Sequence, residues 1–445
     1  MIGKENLVAL LESSSGQRSN PGRLVRHVYE GLGLADANGR RHLTPAGNPD
    51  WQKVMEARKR NGYLPNEFSL LELANVVIGE DWQRRMSPNA VAQAALMESQ
   101  TPLLEAGTGA VTPTDFINVN AFTAVVTGLY EVALLEGFNK LEFIADRIAP
   151  ADPTKTFGGK KVIGAGGIGN KSEIRKPGMP THRSGLTERW INTPATDERA
   201  DSIEILQETI YLDQTGDVTS KANDIGYWLG YQKDIRCIDC FIGVTTATQY
   251  NYKGTTYNTY IDSSGSGYVY NDFSNELVHW SNYEQTLLKF REMVDPETST
   301  RVTIRPNLVV VNMEKLVTAR AIFGDLAGRV EYRDPASTTV AMNLREMQSP
   351  YKGQVEILES PLVYERCIAA DGLALSATNA GKYWWATDTT NGGHVRYAQN
   401  WPLRVQQATP TQMDMVDRGV VMFIKADERG EPYVREIRKS VRNKN

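Results

Sequence analysis

The sequence predicts an α+β protein, and three stretches predict it. Residues 216–245 read as one long amphipathic helix. Residues 146–200 hold too few apolar side chains to build a core. Beyond residue 300, short apolar runs alternate with Gly, Asn and Asp turns, which is a strand-rich pattern.

In the helical stretch, Asp217, Thr219 and Ser220 are candidate N-caps, because their side-chain oxygens can accept from orphan first-turn amides. Ile225, Trp228, Leu229, Ile235, Ile238 and Ile242 recur at helical spacing and form the expected packing face. Lys221, Gln232, Lys233 and Asp239 lie off that face. Gly243, followed by a β-branched run, is the expected stop. From 219 to 242 such a helix spans about 36 Å, long enough to be a spine for its domain.

Taken in order, the first hundred residues suggest modestly apolar helices at 4–12, 21–34, 50–62 and 67–86, with another opening at Ser87-Pro88. They read as an arm. Residues 116–143 follow as a long helix, with Phe122, Val125, Val126, Leu129, Val132, Ala133 and Leu135 in register. The core-poor stretch then carries Pro153, Pro177, Pro180 and Pro194, and a glycine cluster at 158–169. Short strands at Lys161–Ile163 and Thr187–Ile191 are expected to pair as a ribbon. Such a ribbon is not stable alone in water. An excursion of this length is functional or disordered, and an interface with neighbouring subunits would order it.

Residues 203–212 are expected as a strand leading into the spine, and 249–273 as a hairpin turning at 263–267. A helix is expected at 282–293, a buried strand at 308–311 and a helix at 313–323. Further strands are expected at 355–360, 383–386 and 419–425. The basic end, with Arg435, Arg438, Lys439, Arg442 and Lys444, reads as a solvated tail; contact with a neighbour's acidic surface or packaged nucleic acid is the alternative.

Composition sets bounds. At 445 residues there is room for two or three domains. A net charge of −4 gives no global electrostatic case for nucleic-acid binding. No apolar run approaches the ~20 residues of a membrane span. The N-terminal apolar patch is flanked by Glu5 and Glu12, a poor signal peptide. Three cysteines in so long a chain point to reduced thiols and synthesis inside the cell.

Gly164-Ala165-Gly166-Gly167-Ile168-Gly169 spells the glycine fingerprint of dinucleotide-binding turns. That fingerprint works between a strand and a helix N-terminus, and Pro177 and Pro180 cut short any helix here. A loop is expected. Cys237 and Cys240 share a helix face and are expected as small packed side chains, with no second pair to complete a zinc or redox site. His27, His42, His182, His279 and His394 show no metal-ligand spacing. Asp197-Glu198 and Asp427-Glu428 read as solvated loops. No catalytic set, cofactor site or metal site is expected.

The order is now helical arm, long helix, core-poor segment, spine helix, then a mixed strand and helix domain. It resembles the major capsid protein of tailed bacteriophages, the Hong Kong 97-like fold. Residues 116–145 resemble the helix entering that family's extended loop, and 146–200 the loop itself. ANDIGYWLGYQKDIRCIDCFIG resembles the spine helix of the peripheral domain. RPNLVVVNMEKLVTARAIFGD resembles the opening of the axial domain, and GKYWWATDT and FIKADERGEPYVREIRK its late strands. The resemblance covers residues 110–442 and rests on order and hydrophobicity.

It implies an N-terminal helical arm at 1–115, a helix at 116–145 and an extended loop at 146–202. It implies a peripheral domain at 203–300, with spine 219–242 and insertion 249–273, an axial domain at 301–418, and a returning strand and basic tail at 419–445. The implied function is structural: copies tile an icosahedral shell as pentamers and hexamers around a phage DNA genome. DNA would be enclosed without sequence-specific binding. Portal, scaffold and decoration proteins are the implied partners, with no membrane and no cofactor. The implied location is the virion, assembled in the host cytoplasm. Loop residues Lys160, Lys161, Gly164, Gly169, Lys171, Arg175, Lys176 and Arg183 would lie on a neighbouring subunit. Some family members join Lys to Asn covalently; no residue here singles out a partner for the loop lysines. Some members also cleave off an N-terminal segment that guides assembly, a role the resemblance leaves open for the first hundred residues. Two alternatives stand beside this reading: an encapsulin-type nanocompartment shell, and a nucleotide-binding oxidoreductase built on the glycine cluster.

Overall fold

The computed structural model describes residues 113–140, 142–163, 190–212, 217–244, 250–262, 269–294, 301, 304–324, 330–331, 344–345, 350–408 and 417–444, with Pro177 and a few isolated positions before residue 80. The expected N-terminal helices, the 263–267 turn and most of the glycine-rich stretch lie outside these residues.

In chain order the helices are α1 (Pro113–Phe138), α2 (Ala145–Ile148), α3 (Gln207–Leu212), α4 (Asp217–Ile242), α5 (Trp280–Glu292), α6 (Met313–Phe323), α7 (Pro361–Ile368) and α8 (Ala377–Ala380). The strands are β1 (Ala151–Pro153), β2 (Lys161–Ile163), β3 (Trp190–Asn192), β4 (Glu198–Leu206), β5 (Tyr250–Tyr252), β6 (Thr255–Tyr257), β7 (Asp272–Ser274) and β8 (Leu308–Val311). They continue with β9 (Val330–Glu331), β10 (Leu344–Arg345), β11 (Glu356–Glu359), β12 (Trp384–Thr387), β13 (Val395–Ala408), β14 (Val420–Val434) and β15 (Ser440–Lys444). The class is α+β, with four sheets among the described residues.

The chain divides into two compact units. The first takes residues 1–140, 198–231 and 401–429. Its core joins Val125, Val126, Leu129, Tyr130 and Leu134 of α1 to Ile205, Ile210, Ala222, Leu229, Leu403, Met422 and Ile424. Two glycines let α1 and α4 approach closely. A Cβ on Gly226 would lie 2.1 Å from the Leu134 carbonyl oxygen, and one on Gly137 would lie 2.1 Å from that of Asn223. Backbone touches backbone there, which is the close helix contact that only small residues allow. Antiparallel to β4 runs the 420–429 part of β14, with a register shift between Val420 and Met422. Residues 207–212 are helix, where a strand was expected: six apolar-polar residues fit either period, and the ladder of β4 ends at Leu206.

The second unit takes residues 141–197, 232–400 and 430–445. Its five-stranded sheet has the order β11-β8-β12-β15-β7, parallel at both outer pairs and antiparallel within. The sequence LVVV makes β8 buried along its length, as a central strand must be. Phe273, Tyr283, Phe290, Val309, Val311, Phe323, Trp384 and Val441 form the core. Gly324 ends α6, and Pro361 stands at the first turn of α7, where its missing N–H is not needed.

The basic end is not a solvated tail. Residues 430–434 complete β14, and 440–444 form β15 inside the five-stranded sheet. Arg438 and Lys439 are buried, and four of the five cations have an acid: Arg438 with Glu436, Lys439 with Asp388, Arg442 and Lys444 with Asp272. Asp427 and Glu428 are likewise buried on β14 and are not a loop. Arg404 and the Trp401 indole N–H donate to the Asp427 carboxylate. A hairpin does form in the aromatic-polar insertion, but it turns at Lys253 and Gly254, whose φ values of 52° and 85° suit the tight turn between β5 and β6.

Candidate assembly segment and its anchors

The core-poor segment leaves the second unit as a ribbon with a fixed base. β1 pairs in parallel with residues 397–399 of β13. Beyond it, the Thr154 amide donates to the Gln399 carbonyl at 2.8 Å. Asn400 holds both arms. Its Nδ2 donates to the Thr154 and Thr156 carbonyls at 3.1 Å each, and its Oδ1 accepts from Thr196 Oγ1 at 2.5 Å. The Tyr433 hydroxyl donates to Asp152 Oδ2 at 2.7 Å. The arms then pair with each other: the Thr193 amide donates to the Lys160 carbonyl at 2.9 Å, and the Thr196 amide to that of Phe157 at 2.9 Å. A Cβ on Gly159 would lie 2.3 Å from the Thr193 carbonyl, so glycine permits the close crossing.

Just beyond this base one arm is uncovered. Lys155, Thr156, Phe157, Gly158 and Gly159 are exposed in succession, and Phe157 is 53% exposed. The antiparallel pair β2–β3 continues the ribbon and is extended by β5 and β6 into a four-stranded sheet. Lys161 is exposed, with Nζ 4.2 Å above the Trp190 ring, and Lys160 is half-buried. Gly164, Gly169, Lys171, Arg175, Lys176 and Arg183 lie outside the described residues. The strand before the glycine fingerprint is this antiparallel ribbon strand, not the parallel strand of a βαβ unit that a dinucleotide turn requires.

The spine α4 begins two residues before the expected start and ends at Ile242, as expected. Gly243 has φ +83°, and both its amide and that of Val244 donate to the Asp239 carbonyl, a left-handed stop. Leu229, Ile238 and Ile242 are buried, and Ile225 and Ile235 half-buried. Trp228 is 57% exposed, against its place on the expected packing face. Ala222, Gly226, Gly230, Lys233, Asp234, Cys237 and Phe241 fill the buried face instead. At 100° per residue Trp228 stands about 180° from the middle of that face.

Two polar residues on the buried face were missed by sequence reasoning. Asp234 is fully buried, and its Oδ1 accepts from the amides of Ile144 and Ala145 at 2.9 and 2.6 Å. It thereby serves as the cap for the turn α2, just before the segment departs. Beside it, Lys233 donates to Asp146 Oδ1 at 2.7 Å. Burial pushes the Asp234 carboxyl up to about 7, against the lowering effect of the two amides and Lys233. The available signal was the polar pair itself, at helical spacing between Gly230 and Cys237.

The other chemistry-bearing groups are structural. Cys237, Cys240 and Cys367 are buried thiols outside any disulfide, and burial raises all three, Cys367 to about 12. A cavity of about 260 Å³ lies among Gly243, Thr259, Tyr260, Tyr383 and Arg442. Its polar groups are engaged within the fold: the Tyr260 hydroxyl donates to the Phe241 carbonyl at 2.7 Å, and Arg442 bonds Asp272. Among the described residues, no cluster of His, Cys, Asp and Glu could hold a metal ion, and no helix is long and apolar enough to cross a membrane.

No family model matches the sequence, and no curated protein matches it. Solved structures do. The capsid of a cyanophage matches with 12% identity over 67% of this chain and 86% of its own, at a TM-score of 0.39. A phage-related protein from Bordetella bronchiseptica matches with 12% identity over 71% and 95%, at 0.38. A virus-like particle from Pyrococcus furiosus matches with 9% identity over 71% and 97%, at 0.37.

Proposed function

We propose that the chain is a structural subunit of an icosahedral shell, a major capsid protein without catalytic activity. The observation that carries the reading is the ribbon at 154–197. It is anchored at its base by Asn400, Tyr433 and the β1 pairing, yet Lys155, Thr156, Phe157, Gly158 and Gly159, just beyond that base, are exposed. A subunit that invests fixed hydrogen bonds in holding out a segment with little apolar area presents that segment to another surface. In a shell, the surface is an adjacent copy, in a heterologous contact that closes rings of five or six. Met313 and Val317, both 70% exposed at i, i+4 on α6, are further surface that a ring neighbour would cover.

In this reading the enclosed cargo is phage DNA, held without sequence-specific contacts, with portal and scaffold proteins as assembly partners. Electron microscopy of purified protein tests it, combined with nucleic-acid content after nuclease treatment. Closed shells with protected DNA in infected cells support the genome-enclosing role. Closed shells that hold a protein cargo and no nucleic acid would move the assignment to a nanocompartment. Absence of any ring or shell would overturn the shell reading itself.

A further inference from the structure

The Asp234 carboxyl sits in a position that disfavours its ionised form. It is fully buried at the middle of the spine helix. Oδ1 takes both amides of the 144–145 turn, while Oδ2 is buried with no hydrogen-bond partner. An ionised carboxylate here leaves charge on an unsolvated oxygen, which is unfavourable in a low-dielectric interior. A protonated one keeps the Oδ1 bonds to the amides and loses the charge. The groups that act on it are Lys233 and Cys237 on its own helix and Asp146 on the facing turn. Lys233 does not neutralise it directly. Its Nζ is bonded to Asp146 at 2.7 Å and lies 5.2 Å from the Tyr397 ring of β13. Cys237 is held neutral by burial. The turn that Asp234 caps is only four residues long and is followed at once by β1, the first strand of the ribbon's base.

We propose that Asp234 is a proton-operated latch on the root of the ribbon: the protonated carboxyl holds the 144–148 turn against the spine, and ionisation loosens it. Burial holds the carboxyl up at about 7, so between the ordinary value of 3.8 and about 7 the held turn keeps a proton that the loosened turn gives up. Loosening would free the direction in which the ribbon leaves its unit. The link to assembly rests on the shell reading; the latch itself does not.

The test is hydrogen exchange of residues 142–150 in the free subunit from pH 4 to pH 8, corrected for intrinsic rates, in wild type and Asp234→Asn. Asparagine keeps an oxygen for both amides and does not titrate. Protection at Ile144 and Ala145 should fall between about pH 4 and pH 7 in wild type, approaching tenfold per pH unit, level off above pH 7, and stay flat in Asp234→Asn. Parallel profiles in the two proteins would overturn the latch. If Asp234→Asn does not fold, infrared spectroscopy of wild type labelled with ¹³C-aspartate decides. A carboxylic acid band at pH 6 that vanishes by pH 8 supports the latch, and its absence at pH 6 overturns it. A working latch with assembly that ignores pH would remove the regulatory role while leaving the shell reading in place.

Discussion

Arg442 and Asp272 form a two-pronged ion pair: Nε lies 3.1 Å from Oδ1 and Nη2 2.8 Å from Oδ2. Arg442 Nη1 also donates to the Ile242 carbonyl at 3.3 Å, at the last residue of the spine. One side chain of β15 therefore ties the sheet edge strand β7 to the helix end. Burial pushes the Asp272 carboxyl up, but the hydrogen bonds and charges of Arg442 and Lys444 outweigh it and hold it below the ordinary value.

Replacing this arginine should be costly. Arg442→Met leaves Asp272 buried beside Lys444 alone and should destabilise by about 3 kcal/mol in denaturant unfolding. Because the folded carboxyl lies below the unfolded value of 3.8, its contribution is present above that pH and is lost as pH falls through the folded value. The gap between wild type and Arg442→Met should therefore close below pH 4. A gap of constant size down to pH 2 would mean that packing, not the ion pair, is what Arg442 supplies.

His394 gives a second window, at higher pH and of the same sign. It is buried between the rings of Phe241 and Tyr260, with Nδ1 2.9 Å from the Glu436 carbonyl, and burial lowers it to about 4. The unfolded chain binds this proton between about 6.5 and 4 and the folded chain does not, so stability falls with falling pH there. Relative to His394→Gln, wild type should lose up to about 1.4 kcal/mol per pH unit across that range. Equal slopes in the two proteins would show that the imidazole does not stay neutral.

Contrasting faces of the spine should respond differently. Ile238→Asp puts a charge at a fully buried site and should cost several kcal/mol or abolish folding. Trp228→Ala, at a side chain 57% exposed, should change subunit stability by about 0.5 kcal/mol or less. Gly226→Ala drives a methyl into the Leu134 carbonyl and should cost about 3 kcal/mol, although alanine favours helix. A stabilised Gly226→Ala protein would mean that α1 and α4 do not touch as closely as found.

These contrasts show where the sequence was legible. The stop of the spine, the α6 helix and the β8 strand follow from a left-handed glycine and apolar runs, which are local signals, whereas Asp217, Thr219 and Ser220, the expected caps, lie within the first turn of α4. The phase of the spine's buried face was misjudged because Trp228 and Ile235 carry more hydrophobic weight than Gly226, Gly230 and Ala222. A helix contact made by glycines leaves almost no apolar mark. The C-terminal strand was hidden for the reverse reason. Arg438, Lys439, Arg442 and Lys444 look solvated until their partners Glu436, Asp388 and Asp272 are brought alongside by the fold. Asn400, which joins the ribbon's arms, is 204 residues from Thr196, and no local pattern announces it.

The most direct measurement is sedimentation velocity on wild type and on a variant with residues 157–189 replaced by a short Gly/Ser linker, each backed by a thermal melt. If the ribbon serves contacts between copies, the variant melts cooperatively near the wild-type temperature and sediments as single subunits, while wild type forms rings or closed shells. A variant that collapses into aggregate would make the ribbon part of the core. A variant that still closes into shells would contradict the assembly role assigned to it.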